Sequence, residues 1–143
     1  MPACACKHNQ GLIEDKRQVG LFNIIRPRTE KQISGRAGED EALAHLEQHG
    51  LLLLERNFRC KGGEIDLVMR HAATLVFVEV RKRAHGTFGG AAASVTTAKQ
   101  RRLIIAAHIY LQRYKMPPVC RFDVVAIDGA CLTWLQNAID TLG

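Results

Sequence analysis

Three carboxylates in this chain interrupt stretches that otherwise read as core. Asp66 lies between Ile65 and Leu67 and shares a strand face with Val68, while Glu79 lies between Val78 and Val80 and shares a face with Phe77. Glu39 precedes Ala42, Leu43 and Leu46 at the helical offsets that mark a buried stripe. A carboxylate on an apolar face is costly unless something compensates its charge. If the two acid-bearing strands form a hairpin closed at His71 to Thr74, Asp66 falls opposite Glu79 and Val68 opposite Phe77. Cross-strand Cβ atoms sit about 4.5 to 5.5 Å apart, so two anions would be held together. The remedies are a raised pKa, a cationic neighbour or a divalent metal. Carboxylate oxygens with room for water suit magnesium or manganese. Arg81, two residues after Glu79, shares its face and can steady negative charge on a phosphate attacked by water. Lys82 faces the other way. Any one of these residues alone would be read as part of a salt bridge tying helix to sheet; four converging through independent periodicities favour a site.

The cations are segregated. No acidic residue occurs between Val80 and Phe122, whereas Arg81, Lys82, Arg83, Lys99, Arg101, Arg102, Arg113, Lys115 and Arg121 all do, within a chain of net charge +6. Such a surface attracts polyanions, nucleic acid first and anionic membranes second, although a solvated basic face alone proves nothing. Lys99, Arg101 and Arg102 fall in the opening turns of a long helix, where positive side chains oppose the dipole unless an anion binds there. With Arg81 to Arg83 and the intervening glycine-rich loop they would form one phosphate-binding wall.

These residues need elements to position them. The pattern predicts a helix capped by Ser34 and ending near Gly50, then strands over Leu51 to Phe58, Glu64 to Met69 and Leu75 to Val80, the last continuing into Arg81-Lys82-Arg83. A Gly- and Ala-rich loop, Ala84 to Ala93, leads to a helix from about Thr96 to Tyr114, ended by Met116-Pro117-Pro118. Two strands follow, Arg121 to Ile127 and Cys131 to Leu135, joined by a turn at Asp128-Gly129. The expected order is α-β-β-β-α-β-β, an α/β fold with a central mixed sheet of about five strands flanked by helices.

At 143 residues, 47% hydrophobic and 24% charged, the chain is one domain's worth of ordinary globular protein. Residues 1–33 read as an N-terminal extension of a composition compatible with disorder, and residues 34–143 as the domain. No apolar run approaches the roughly 20 residues that span a bilayer, and no secretory leader is evident, so a cytoplasmic location is expected. The five cysteines form an odd set without a disulfide or zinc spacing and read as reduced thiols. Cys4, Cys6 and His8 offer three ligands on a tail, which chance composition explains. His45 and His49 lack a third ligand; Tyr110 and Trp134 default to packing, and Asp123 to pairing with a buried cation.

Gly63-Glu64-Ile65-Asp66, Phe77-Val78-Glu79-Val80-Arg81-Lys82-Arg83, Phe88-Gly89, Lys99 and Arg121-Phe122-Asp123-Val124-Val125 together resemble the YraN family of uncharacterised bacterial proteins. That family is similar to archaeal Holliday-junction resolvases and the restriction-endonuclease-like superfamily. The resemblance, from about Gly35 onward, implies a three-layer endonuclease-like fold and a site for one or two Mg2+ or Mn2+ ions. It implies Asp66 and Glu79 as metal ligands, the Val80 carbonyl as a further contributor and Glu39 as the helix glutamate of the resolvase-like branch. Arg81 stands where the superfamily carries a lysine. Arginine keeps the charge but, because a guanidinium does not give up its proton at ordinary pH, cannot serve as a base. The expected activity is hydrolysis of phosphodiesters in DNA, including branched or structured DNA, with Arg81 stabilising the developing charge and Lys99 and Gln100 holding the phosphate or orienting water. Resolvase-like proteins often act as homodimers. The rivals are a nucleic-acid-binding module of nuclease fold without turnover, and a protein-interaction domain with a basic face.

Overall fold

A computed structural model describes residues 29–83 and 95–139. Helix α1 spans Glu30–Gln48, followed by β1 (Leu52–Cys60), β2 (Gly63–His71) and β3 (Thr74–Arg83); α2 (Thr97–Leu111), β4 (Cys120–Asp128) and β5 (Cys131–Leu135) complete the order. The order matches expectation and the ends differ in instructive ways. Helix α1 starts at Glu30, not after Ser34, because Thr29 and Gln32 form the stronger start signal: the Thr29 N–H donates to Gln32 Oε1 at 3.1 Å. The boundary drawn between 33 and 34 therefore falls inside a helix. Gly50, with φ of +85°, turns the chain out of α1 into β1. Helix α2 stops at Leu111, three residues before Tyr114, and a Tyr114 N–H to Leu111 carbonyl bond closes the turn that follows. The β4–β5 turn is Gly129-Ala130, one residue later than expected, since Asp128 pairs with Cys131. The Cys4–Cys6–His8 group and the Ala84 to Ala93 loop, with Phe88-Gly89, lie outside the described residues.

The sheet runs β1-β2-β3-β4-β5, antiparallel except for the parallel β3–β4 pair, which α2 connects. Its two faces build two cores. Leu75, Phe77, Phe122 and Val124 meet Leu103, Ala106, Ala107 and Tyr110 of α2, while Val76, Val78, Val125 and Ile127 meet Ala42 and Leu46 of α1. Consecutive residues of β3 thus serve opposite layers, which is why Leu75 to Val80 reads as an unbroken apolar run rather than an alternating one. Each fully buried Phe, Leu or Val contributes roughly 1.5–3 kcal/mol.

One close approach fixes α2 over β2. A Cβ at Gly63 would run into the Arg102 carbonyl, so only glycine lets the helix backbone settle on the strand start. That contact sets the height of the first turn of α2, and with it Lys99.

Candidate active site

The β2–β3 ladder runs from His71↔Thr74 through Val68↔Phe77 to Leu67↔Val78, the register expected from sequence. The paired ladder ends there, and Asp66 and Glu79 are the next residue on each strand. There the Val80 N–H donates to Asp66 Oδ2 at 2.9 Å, so the carboxylate itself takes up a backbone donor of the neighbouring strand. The alternation of β2 breaks at the same point: Ile65 joins Val68 in the α2-side core although the two have opposite parity.

Glu79 is 1% exposed. Its Oε1 lies 3.4 Å from Lys99 Nζ and 3.9 Å from Arg81 Nε. Its Oε2 is buried with no hydrogen-bond partner among the described residues. Burial first, and the Asp66 charge second, push the Glu79 carboxyl up to about 7, against the pull of Lys99 and Arg81. Burial also raises Asp66, opposed by the Val80 N–H and by Lys99. Burial works to lower Lys99, but the Glu79 and Asp66 anions outweigh it and raise its pKa, so the ammonium holds its proton.

Sequence reasoning gave Glu64 no role. Lys99 Nζ lies 3.2 Å from Glu64 Oε1, and that hydrogen bond lowers the Glu64 pKa. The signal was available: Glu64 is two residues before Asp66, the spacing of one strand face. What was missing was the approach of α2. Thr96 caps that helix by accepting from the Lys99 N–H at 3.3 Å, so the residues that start α2 also aim its lysine at the carboxylates.

The structure brings Asp66, Glu79, Arg81 and Lys99 together, with the Val80 peptide pinned to Asp66. Two expectations are corrected, those for Glu39 and Gln100. Glu39 does not join the pair; its Oε2 accepts from Asn57 Nδ2 at 3.0 Å and lies 3.7 Å from Arg56, on the face covered by α1. Asn57 is level with Asp66 across the β1–β2 ladder, so Glu39 sits one residue away from the site. Gln100 turns elsewhere, donating from Nε2 to the Val95 carbonyl at 3.0 Å, where it braces the start of α2. Lys82 packs beside Gly38 of α1, across the sheet from Glu79 as its parity requires. Arg101 and Arg102 are exposed on α2. Arg83 ends β3, and its side chain lies outside the described residues.

Among the described residues no group of three or more His, Cys, Asp or Glu side chains is arranged to hold a metal ion. Two carboxylates share the pocket, and the unmatched Glu79 Oε2 is the kind of oxygen a hard divalent cation takes, with water completing its shell. On that observation the donor set fits magnesium or manganese.

A profile described as "Uncharacterised protein family UPF0102" matches residues 38–127. The chain is 70% identical over 118 residues to a UPF0102 protein of Herminiimonas arsenicoxydans, covering 82% of this chain and 95% of the relative. It is 69% identical to one from Janthinobacterium sp. (strain Marseille), with the same coverages, and 52% identical to one from Acidovorax sp. (strain JS42), covering 82% and 92%. The chain belongs to the uncharacterised protein family UPF0102. The matched segment carries Glu64, Asp66, Glu79, Arg81 and Lys99, so every group of the pocket lies within the family's shared part.

Asp123, Trp134 and Tyr110 take part in packing and in tying strands together. Asp123, fully buried, accepts from Arg121 Nε at 3.0 Å, Trp134 Nε1 at 3.0 Å and the Asn137 N–H at 2.9 Å, knotting β4, β5 and the segment after it. Trp134 also meets the His49 ring edge-on at 5.5 Å, and Tyr110 packs against Phe58 and Phe77. No helix among the described residues is long and apolar enough to cross a membrane.

Proposed function

We propose that this UPF0102 protein is a metal-dependent phosphodiesterase that hydrolyses DNA, branched or otherwise structured DNA included, on an endonuclease-like fold related to the archaeal resolvases. The observation that carries the reading is the buried, unpartnered Glu79 Oε2 beside Asp66. A charged group is left in such a position at a cost, and a bound cation offsets it. Magnesium or manganese held there would polarise the scissile phosphate and lower the pKa of an attacking water.

The chain's own residues divide the remaining work. Asp66 and Glu79 hold the cation, with the Val80 carbonyl at the same strand position. Arg81 and Lys99, both permanently charged at neutral pH, stabilise the negative charge that gathers on the phosphate oxygens. Neither serves as a base. Lys99 supplies from α2 the ammonium that the superfamily pattern places on the strand at position 81. Arg101 and Arg102 grip flanking phosphates from the exposed surface of α2. The same reading places the protein in the cytoplasm, in keeping with free thiols at Cys60, Cys120 and Cys131, and a junction with two equivalent strands would suit a homodimer.

The test is cleavage of linear, forked and four-way DNA with Mg2+ or Mn2+, alongside Asp66→Ala and Glu79→Gln. Metal-dependent cutting abolished by both substitutions is the expected result; cutting indifferent to them overturns the reading. A second reading rests on Arg81 in place of lysine: a DNA-binding module without turnover. It predicts salt-sensitive binding with no cutting by the native protein or by Arg81→Lys.

A further inference from the structure

Lys99 stands where two demands conflict. The described pocket holds two carboxyls whose pKa values are raised and a third, Glu64, whose pKa is lowered, and one ammonium touches both kinds: 3.4 Å to Glu79 Oε1 and 3.2 Å to Glu64 Oε1. A divalent cation on Glu79 Oε2 would lie on the same carboxylate as that ammonium, and like charges so close repel strongly in a half-buried site. Lys99 must therefore yield as the cation enters. Glu64 is the nearby group able to receive it: its Oε1 already accepts from Nζ, it is 37% exposed at the pocket's rim, and its other cationic neighbour, Arg59, lies 3.7 Å from Oε2 on the exposed side and leaves Oε1 to Lys99.

We propose that Lys99 is an internal counter-ion that balances Asp66 and Glu79 in the metal-free protein, and that Glu64 is the positioning residue onto which Lys99 withdraws when a divalent metal binds. This rests on the two-carboxylate metal site of the preceding section and adds a competition built into it. The ammonium that keeps the empty pocket electrically tolerable also sets how much metal is needed to fill it. Withdrawn to Glu64, it stays beside the site, within reach of a phosphate oxygen rather than of the metal ligands.

The competition is read from Mn2+ affinity, measured by calorimetry and by the loss of the free-ion electron paramagnetic resonance signal, without DNA and independently of cleavage. Lys99→Met should tighten Mn2+ binding about tenfold or more, while Lys99→Arg, which keeps the charge, stays near wild type. Glu64→Gln should weaken binding several-fold, since Lys99 then has only Glu79 and Asp66 to hold. In the Lys99→Met/Glu64→Gln double variant most of the Glu64→Gln effect should vanish, because the residue it positions is gone. Circular dichroism at the assay temperature confirms that each variant is folded before its affinity is taken. Additive effects would reduce Glu64 to one more negative charge near the metal and overturn its assigned role. Unchanged affinity in Lys99→Met overturns the competition while leaving the metal site standing. Absence of Mn2+ binding in both wild type and Lys99→Met overturns the competition together with the metal reading beneath it.

Discussion

At the scale of single residues the unusual object is Glu79, whose carboxyl is raised to about 7 by burial and by Asp66. Its folded pKa lies above the unfolded value, so the folded state holds this proton more firmly. The group costs nothing while both states are protonated, below the unfolded pKa near 4.5. Its penalty grows as pH rises between about 4.5 and 7, and is complete above that. The metal-free protein should therefore lose stability across that window. Glu79→Gln should remove most of this dependence and stabilise the metal-free protein at pH 8 by on the order of 2 kcal/mol, read from urea denaturation at pH 5 and pH 8. Added Mn2+ should recover the difference in the native protein and do little for the variant. A native protein as stable at pH 8 as at pH 5, relative to Glu79→Gln, would contradict the burial of a charged carboxyl.

Among the elements, α2 matters most, because it delivers Lys99 and depends on one glycine to do so. Gly63→Ala forces the Arg102 carbonyl away from the start of β2. Backbone cannot yield as a flexible side chain does, so the substitution should cost on the order of 3 kcal/mol and displace Lys99 with the first turn. Gly38→Ala is the contrast. Its new Cβ would meet the Lys82 stem at 3.4 and 3.6 Å and Ile127 Cδ1 at 3.7 Å, all side-chain atoms, and the change should raise stability by up to about 1 kcal/mol through helix propensity. Thermal denaturation of the two single variants separates them. The Asp123 knot belongs to the same scale: Asp123→Ala strands Arg121 and the indole N–H of Trp134 without their acceptor, and a loss of about 3 kcal/mol or more is expected in the same assay.

The whole molecule contributes a field. Its net charge of +6 is concentrated in the segment from β3 through α2 to β4, the elements that together with β2 hold the carboxylate pocket. DNA binding in Ca2+ or without metal should weaken steeply with salt. Arg101→Gln/Arg102→Gln should lower the slope of log K against log salt by about 1.8, the release of roughly two counterions from duplex DNA. Fluorescence anisotropy over a salt series measures this. An unchanged slope would overturn the proposed phosphate grip of α2.

Much of the architecture was legible in the residues themselves. Apolar runs and turn residues determined the order of elements, and they also determined the hairpin register from His71↔Thr74 to Leu67↔Val78, because pairing register is a local property of one hairpin. Just beyond it the Asp66 carboxylate takes up the Val80 N–H, a contact that no alternation pattern encodes. Periodicity also identified Glu39 as a residue on a buried stripe, but a stripe does not say which layer it faces; the tertiary structure put α1 and α2 on opposite faces and took Glu39 to Asn57 instead. The partnership of Glu64, Glu79 and Lys99 joins residues up to 35 positions apart. It depends on how closely a helix can approach a strand at Gly63. That distance is set by packing across the core, and no local pattern encodes it.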